Sequence, residues 1–289
     1  MSGQKIDGIE VANSIKGIVR VAAEALRSEG VWPCLATVLV GENPASTTYV
    51  KNKQKACYEV GIETKDHTLP ESFSQQEMNS LIDLLNNDNT VHGILVQLPL
   101  PKQLDEFATT SRISPIKDVD GLTPYNIGLL SSGRAILKPC TPSGIMELFD
   151  YYKIDLSGKN VVIINRSHLV GKPLYHLMLE KNATVTTCHS KTKNLKQHCL
   201  NADIIVTAIG NRAKFTLTAD MIADGTIVID VGTSRQDGML AGDVDYENII
   251  KKASYATPVP GGVGPMTIAM LLKNTVTAAS ISKEFVSGR

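Results

Sequence analysis

Apolar and polar positions along the first half of the chain follow two periods that alternate. Apolar residues recur at helical spacing over residues 9–28, 45–60 and 75–85. Between and after these helical stretches lie short runs typical of strands, at residues 35–40, 62–69 and 93–98. Alternating helical and strand patterns of this kind predict a parallel sheet covered by helices.

The second half shows four runs of β-branched residues, at 161–164, 184–187, 204–207 and 227–230, with helical patterns at 173–180 and 195–200. This rhythm predicts a nucleotide-binding α/β lobe built on a parallel sheet. Residues 114–144, rich in Pro, Gly, Ser and Asp, are the predicted crossing between the two lobes. A Gly/Pro loop at 257–265 leads into an apolar helix from Met266, which we expect to pack on the first lobe.

Size and charge narrow the function classes. The chain has 289 residues, 43% of them hydrophobic. This length exceeds what a single hydrophobic core usually serves, so two lobes are expected. Lys plus Arg and Asp plus Glu both number 29, so the net charge is zero and provides no field for nucleic acid or an anionic membrane. We therefore expect neither as a partner. The longest apolar runs, such as residues 91–100, are too short to cross a bilayer.

Cellular location and metal content are predicted from the termini and the cysteines. The first ten residues lack both an apolar signal core and an Arg-rich leader, which predicts a cytoplasmic protein. Five scattered cysteines without a C-x-x-C pair indicate reduced thiols. The six histidines show no ligand spacing, so no metal site is expected.

The segment from Val161 to Pro173 has the layout of a phosphate-binding loop. A strand ends at Asn165, the chain turns through Gly171, and Pro173 suits the first turn of a helix. The N–H groups at such a helix start favour a pyrophosphate. Asn165 stands where a G-x-G-x-x-G motif has its first glycine, and many loops of this layout bind nothing, so the segment alone leaves both interpretations open.

The end of the second predicted strand indicates which dinucleotide would bind. NAD-binding folds usually place an acid there for the ribose 2′-hydroxyl, but Thr187 to Thr192 contains none. Ser190 and the nearby Arg166 are suited to hold a 2′-phosphate instead. The sequence therefore favours NADP, the alternative being that these residues only cap a solvated strand end.

Five segments, in order, resemble the bifunctional methylenetetrahydrofolate dehydrogenase/cyclohydrolase family. They are Val40-Gly41 with Pro44-Ala45-Ser46-x-x-Tyr49-Val50-x-x-Lys53, and residues 93–101, 117–121, 139–142 and 257–267. The resemblance implies a two-lobed α/β homodimer, with tetrahydrofolate derivatives bound in the cleft between lobes. It implies an N-terminal folate-binding, catalytic domain at residues 1–140 plus 266–289. A Rossmann-like NADP-binding domain would span residues 141–265.

The resemblance also implies roles for individual residues. Tyr49 would lie against the folate ring, Lys53 would reach the one-carbon centre, Gln97 would orient Lys53, and Asp120 would grip the pterin. Further substrate contacts are expected from Val96, Leu98, Pro258 and Gly262. Cofactor contacts are expected from Asn165, Arg166, Ser167, Ser190 and Thr233. The family's loop after the first dinucleotide strand often begins with glycine, where this chain has Asn165.

Residue chemistry agrees with these roles without requiring them. Ser46, Tyr49 and Lys53 share one face of a helix. Without the family motif, Lys53 would be a solvated lysine, Gln97 a strand-end amide bonded to local backbone, and Asp120 a turn former before Gly121. With it, an ammonium ~4 Å from a methenyl cation costs about 4 kcal/mol at an effective dielectric of ~20. That repulsion lowers the pKa of Lys53 toward the range of a general base.

Three functions are consistent with the sequence. The first is a bifunctional enzyme that oxidises 5,10-methylenetetrahydrofolate with NADP⁺ and hydrolyses the methenyl product to 10-formyltetrahydrofolate, as used in one-carbon metabolism and purine biosynthesis. The second is a monofunctional dehydrogenase on the same scaffold, which the presence of Lys53, Gln97 and Asp120 disfavours. The third is a noncatalytic nucleotide-binding module, which would have no need of the folate residues.

Overall fold

The structure is a computed structural model that describes residues 3–236 and 238–287. Its helices are α1 (Gly8–Ser28), α2 (Pro44–Glu59), α3 (Gln75–Asn87), α4 (Glu106–Ser111), α5 (Pro124–Ser131), α6 (Cys140–Tyr151), α7 (Gly171–Glu180), α8 (Leu195–Leu200), α9 (Tyr246–Ile249) and α10 (Val263–Ser287). Its strands are β1 (Gln4–Lys5), β2 (Cys34–Val40), β3 (Glu63–Leu69), β4 (Gly93–Val96), β5 (Asn160–Ile164), β6 (Thr184–Cys188), β7 (Ile204–Thr207), β8 (Ile227–Asp230), β9 (Ser234–Gln236), β10 (Met239–Ala241) and β11 (Tyr255–Ala256).

The chain divides into two compact units. The first unit comprises Ser14–Cys140 and the described residues from Ile268 onward. The second unit comprises the described residues up to Asn13 together with Thr141–Thr267. Both are α/β, and the C-terminal part of α10 belongs to the first unit, as the sequence predicts.

The first unit is built on a three-stranded parallel sheet in the order β3-β2-β4. Every residue of the central strand β2 is buried, because strands lie on both sides of it and helices cover its faces. Helix α3 packs its apolar stripe of Met78, Ile82 and Leu85 against the sheet. A capping box fixes its start, in which Ser74 accepts from Glu77 N and the Glu77 carboxylate accepts from Ser74 N.

The second unit contains a six-stranded parallel sheet in the order β1-β11-β8-β7-β5-β6. Its central strands β5, β7 and β8 are predominantly apolar and buried, as in sheets with helices on both faces. Strands β9 and β10 form a separate antiparallel hairpin. The order of strands is that of an open, doubly wound sheet, whose carboxyl edge is the usual ligand side.

The N-terminal segment differs from the sequence expectation, which put residues 1–140 in one domain. Gln4 pairs with Tyr255 and Lys5 with Ala256, so β1 extends the sheet of the second unit. The described residues up to Asn13 therefore belong with Thr141–Thr267. A two-residue strand carries no periodic signal from which its partner could be read.

Several element boundaries also differ from the sequence expectation. Residues 114–144, which the sequence predicts as the crossing between lobes, contain α5 and the start of α6. Thr123 caps α5 by accepting from Asn126 N, and Pro124 follows at the first helical position. Strand β4 ends at Val96, two residues earlier than expected. Helix α10 begins at Val263, so Gly264 and Pro265 lie in its first turn.

Candidate active site

Lys53 and Gln97 face each other in the first unit. Lys53 projects from α2, and Gln97 follows the last residue of β4, where its backbone N–H still donates to Val38 O at 2.9 Å. The Lys53 Nζ donates to Gln97 Oε1 at 3.0 Å, while Gln97 Nε2 donates to Leu98 O at 2.7 Å. Because both ends of the Gln97 amide are engaged, its oxygen is held toward the lysine.

Asp120 lies on a loop that is anchored beside β4. Ile94 N donates to Lys117 O at 2.8 Å, and Ile94 and Asp118 form an isolated parallel bridge. The buried Asp118 carboxylate accepts from Leu122 N and Thr123 N, at 3.2 and 2.8 Å, and from Asn126 Nδ2 at 2.9 Å. The loop-forming role that the sequence left open for Asp120 is thus filled by Asp118.

Burial shifts the pKa values of Lys53 and Asp120 in opposite directions. Desolvation lowers the pKa of Lys53, and the charge of Asp120 partly opposes this. Desolvation raises the pKa of Asp120, and the charge of Lys53 partly opposes that. An amine and a carboxylate whose pKa values are both perturbed, in one cluster, are the arrangement expected of an active site.

Cys140 is a member of this cluster that the sequence reasoning did not single out. Its buried thiol donates to Val119 O at 3.2 Å and lies within hydrogen-bonding reach of the Asp120 carboxylate. Burial raises the pKa of Cys140 well above its ordinary value, so it is a neutral thiol. Cys140 belongs to the segment 139–142 that carries the family resemblance, but no spacing rule connects it to Asp120.

The remaining predicted folate residues divide between the two units. Tyr49, one turn before Lys53 on α2, exposes 47% of its surface. Val96 is buried at the end of β4, and Leu98 accepts from Gln97. Pro258 and Gly262 lie in the second unit, where a Cβ on Gly262 would stand 2.5 Å from Pro258 O. That loop is therefore folded tightly on itself, and only glycine fits at position 262.

In the second unit, Asn165 organises the loop between β5 and α7. Its Oδ1 accepts from Ser167 N at 2.7 Å and from Gly171 N at 3.0 Å, and its Nδ2 donates to Ala208 O. Ser167 Oγ in turn accepts from Val170 N at 3.1 Å. The Asn165 side chain is therefore used within the loop, which explains how the chain forms this turn without glycine at position 165.

Arg166 and Ser190 lie at the same edge of the sheet. Ile164 pairs with Cys188, and each of the two residues follows its strand by two positions. Both are exposed, and within residues 3–236 and 238–287 neither side chain has a hydrogen-bond or ion-pair partner. An arginine and a hydroxyl at the carboxyl ends of adjacent parallel strands are placed to receive an anionic group.

A buried carboxylate pair, not anticipated from the sequence, fixes the neighbouring loops. Asp243 accepts from Ile209 N at 2.6 Å and Gly210 N at 3.0 Å. Asp230 accepts from Gly232 N at 2.9 Å and Val244 N at 2.9 Å, and burial raises the pKa of Asp230 to about 6. These bonds hold the segments after β7 and β8, the second of which leads to the exposed Thr233. The sequence places Asp230 at the end of a predicted strand and assigns Asp243 no role, because the burial of the two carboxylates is not visible in the sequence.

Across the described residues, no group of three or more His, Cys, Asp or Glu side chains is placed to hold a metal ion. In the same part of the chain, no helix combines the length and the apolar character that crossing a membrane requires.

Comparison with known proteins identifies the same two functional regions. Residues 6–120 match the model of the tetrahydrofolate dehydrogenase/cyclohydrolase catalytic domain, and residues 139–283 match that of the NAD(P)-binding domain of the same enzymes. A bifunctional protein FolD from Nitrosopumilus maritimus is 67% identical over 284 residues, which are 98% of this chain and 99% of that relative.

Solved structures of methylenetetrahydrofolate dehydrogenase/cyclohydrolases are also similar to this chain. The bifunctional FolD methylenetetrahydrofolate dehydrogenase/cyclohydrolase from Campylobacter jejuni has a TM-score of 0.94 at 47% identity, covering 97% of this chain and 99% of its own. The methylenetetrahydrofolate dehydrogenase-cyclohydrolase of Trypanosoma brucei, complexed with NADP and an inhibitor, has a TM-score of 0.92 at 36% identity. It covers 98% of this chain and 99% of its own.

Proposed function

The chain belongs to the tetrahydrofolate dehydrogenase/cyclohydrolase family and is a bifunctional NADP-dependent enzyme, and we propose that Lys53, oriented by Gln97, is its general base. It oxidises 5,10-methylenetetrahydrofolate to the methenyl compound and hydrolyses that to 10-formyltetrahydrofolate. The observation that carries the proposal is the 3.0 Å bond between Lys53 Nζ and Gln97 Oε1, next to Asp120.

The second unit fits the cofactor. The loop held by Asn165 brings the start of α7 to the carboxyl edge of the sheet, where the positive end of the helix dipole favours a pyrophosphate. Arg166 and Ser190 would hold the 2′-phosphate, and Ser167 and Thr233 would line the same edge. Bound NADP⁺ supplies the hydride acceptor for the dehydrogenase reaction.

Folate binding is assigned to the first unit. A half-buried Asp120 carboxylate can accept two parallel N–H bonds from the pterin amide and amino groups, which orients the ring. The exposed ring of Tyr49 offers an apolar face for stacking one helical turn from Lys53. Val96 and Leu98 are further proposed substrate contacts in the same unit.

Lys53 acts in the hydrolytic step. Its lowered pKa increases the fraction of neutral amine, and the cationic methenyl group favours that form further. The neutral amine takes a proton from water as the water oxygen bonds to the methenyl carbon. As the bond from that carbon to N5 breaks, the added hydroxyl loses its proton to solvent and its oxygen becomes the formyl carbonyl oxygen. N5 takes the proton held by the Lys53 ammonium, which restores the neutral amine, and the formyl group stays on N10. Gln97 keeps the amine aimed at the reacting carbon.

A lysine pair on α2 provides the test. Lys53→Met should lower the cyclohydrolase rate by about 10²-fold or more, since a positioned base contributes that much. Lys55→Met is the matched control, because Lys55 is exposed on the same helix. Formation and decay of the methenyl compound would be followed in one absorbance assay. Hydrolysis by Lys53→Met at the rate of Lys55→Met would refute the general-base assignment.

The assembly and location of the enzyme are part of the proposal. Strands β9 and β10 form a hairpin separate from the main sheet, and its Met239 and Leu240 are exposed, which suits a homodimer contact. All five cysteines are free and buried, as fits the reducing cytoplasm. The 10-formyl product suits a role in purine biosynthesis.

A further inference from the structure

Asn274 places a buried amide among the apolar residues of α10. Only 6% of its surface is exposed, and its neighbours Leu271, Leu272 and Val276 are buried in the core of the first unit. Burying an amide costs free energy unless its hydrogen-bonding groups find partners. Apolar packing of the helix does not explain why an amide is buried here, so its hydrogen-bond partners must be considered.

The partners of Asn274 are two carbonyl oxygens on different segments. Its Nδ2 donates to Val119 O at 2.8 Å and to Lys138 O at 2.9 Å, which uses both N–H groups of the amide. The same nitrogen lies 3.7 Å from Cys140 Sγ. One side chain thus ties the loop of residues 117–121 to the segment 138–140.

These two segments are in direct backbone contact. A Cβ on Gly121 would stand 2.5 Å from the Lys138 carbonyl carbon, so no side chain fits between them. Val119 O also accepts from Cys140 Sγ at 3.2 Å. Asp120 is the residue between Val119 and Gly121, and both of its neighbours are therefore fixed against residues 138–140.

We propose that Asn274 is a positioning residue that fixes the direction of the Asp120 carboxylate toward the folate and Lys53. This inference rests on the substrate-binding role assigned to Asp120 above. Without the amide, the Val119 and Lys138 carbonyl groups lose their shared donor, and the loop that carries Asp120 gains freedom. The C-terminal helix thereby contributes to the site through hydrogen bonds and not through packing alone.

The primary test is Asn274→Leu, which keeps the branched shape and the number of side-chain heavy atoms and removes both donors. The KM for the folate substrate should rise by about tenfold, the factor expected for losing neutral hydrogen bonds behind a binding group. The KM for NADP⁺ should not change. Thr275→Val is the matched control, because Thr275 is fully buried next to Asn274 and its hydroxyl donates to Leu271 O within the helix.

A double-mutant cycle with Asp120→Ala separates positioning from a general loss of structure. If Asn274 acts through Asp120, Asn274→Leu should add little to the folate KM of Asp120→Ala. Asn274→Ser, which keeps one donor, should show a smaller rise in the same direction, and it serves if the leucine variant does not fold.

Three outcomes overturn the inference. The first two are equal rises in the KM for folate and NADP⁺, and independent, multiplying effects in the cycle. A normal folate KM in Asn274→Leu, combined with a raised one in Asp120→Ala, also overturns it and leaves the role of Asp120 intact. A normal folate KM in Asp120→Ala itself would instead refute the proposed function of that carboxylate.

Discussion

Burial acts on Lys53 and Asp120 in a way that suits their different tasks. It lowers the pKa of the amine, which favours the neutral base, and it raises the pKa of the carboxylate, which would favour the inactive acid. Each residue reduces the shift of the other, because the charged pair stabilises both ions. Without Asp120, a larger fraction of Lys53 would be neutral at neutral pH. Without Lys53, a larger fraction of Asp120 would be protonated, and it would bind the pterin less well. The pair is therefore a compromise between the two proposed tasks, proton transfer by Lys53 and pterin binding by Asp120.

The pH dependence of hydrolysis tests this coupling at the level of single residues. If the neutral amine is the base, as proposed, the cyclohydrolase kcat should rise with pH through the lowered pKa of Lys53 and level off below its ordinary value of 10.5. Asp120→Asn removes the charge that raises the Lys53 pKa, so the rise should move to lower pH. The profile of Lys55→Met should match the wild type. An unshifted midpoint in Asp120→Asn would contradict the electrostatic link.

At the scale of helices and strands, the sequence predicts the long periodic elements well. Helices α1, α2 and α3 and strands β2, β5, β7 and β8 lie within a few residues of their expected positions, because their burial produces clear periods. The short strands β1 and β11 and the helices α4 to α6 were missed. Their positions depend on tertiary pairing and on caps such as Thr123, which a periodic pattern does not contain.

The site was predictable where it lies on regular elements. Lys53 and Tyr49 share a helix face, and Gln97 directly follows a buried strand. The sequence pattern therefore indicates where these three residues lie. The roles within the 117–121 loop were not predictable, since two aspartates stand two residues apart and only the structure shows that Asp118 forms the turn. Asn274 is 154 residues from Asp120 along the chain, and its link to that loop is a product of the fold alone.

Gly121 provides a prediction for the loop as a structural element. Its φ of +69° lies in the left-handed region, and a Cβ would stand 2.5 Å from the Lys138 carbonyl carbon. Gly121→Ala should therefore lower the free energy of unfolding by about 2 kcal/mol or more. Gly128→Ala, inside α5 with nothing within 4 Å of its Cβ, should be neutral or stabilising. Urea unfolding of both variants decides the matter, and equal stabilities would mean that the loop can relax.

Across the whole molecule, the residues proposed for hydrolysis and for cofactor binding lie in different units. Lys53, Gln97 and Asp120 belong to the first unit, and Arg166 and Ser190 belong to the second. Hydrolysis of a supplied methenyl substrate requires no hydride acceptor. The dehydrogenase reaction requires both ligands. Substitutions in the second unit should therefore separate the two activities.

Arg166→Ala is the variant that tests this separation. If the exposed guanidinium holds the 2′-phosphate, its loss should raise the KM for NADP⁺ by roughly 10- to 150-fold, the equivalent of ~1.5–3 kcal/mol for a charge-assisted contact. Weak activity with NAD⁺, which lacks that phosphate, should stay almost unchanged. Hydrolysis of supplied methenyltetrahydrofolate should also keep its wild-type rate, because Lys53 and Gln97 are untouched. Steady-state titrations with each cofactor, and the separate hydrolysis assay, measure all three quantities on one preparation.

Equal losses with NADP⁺ and NAD⁺ would show that Arg166 supports the loop held by Asn165 and does not bind the 2′-phosphate. A parallel loss of hydrolysis would show that the substitution reaches the first unit.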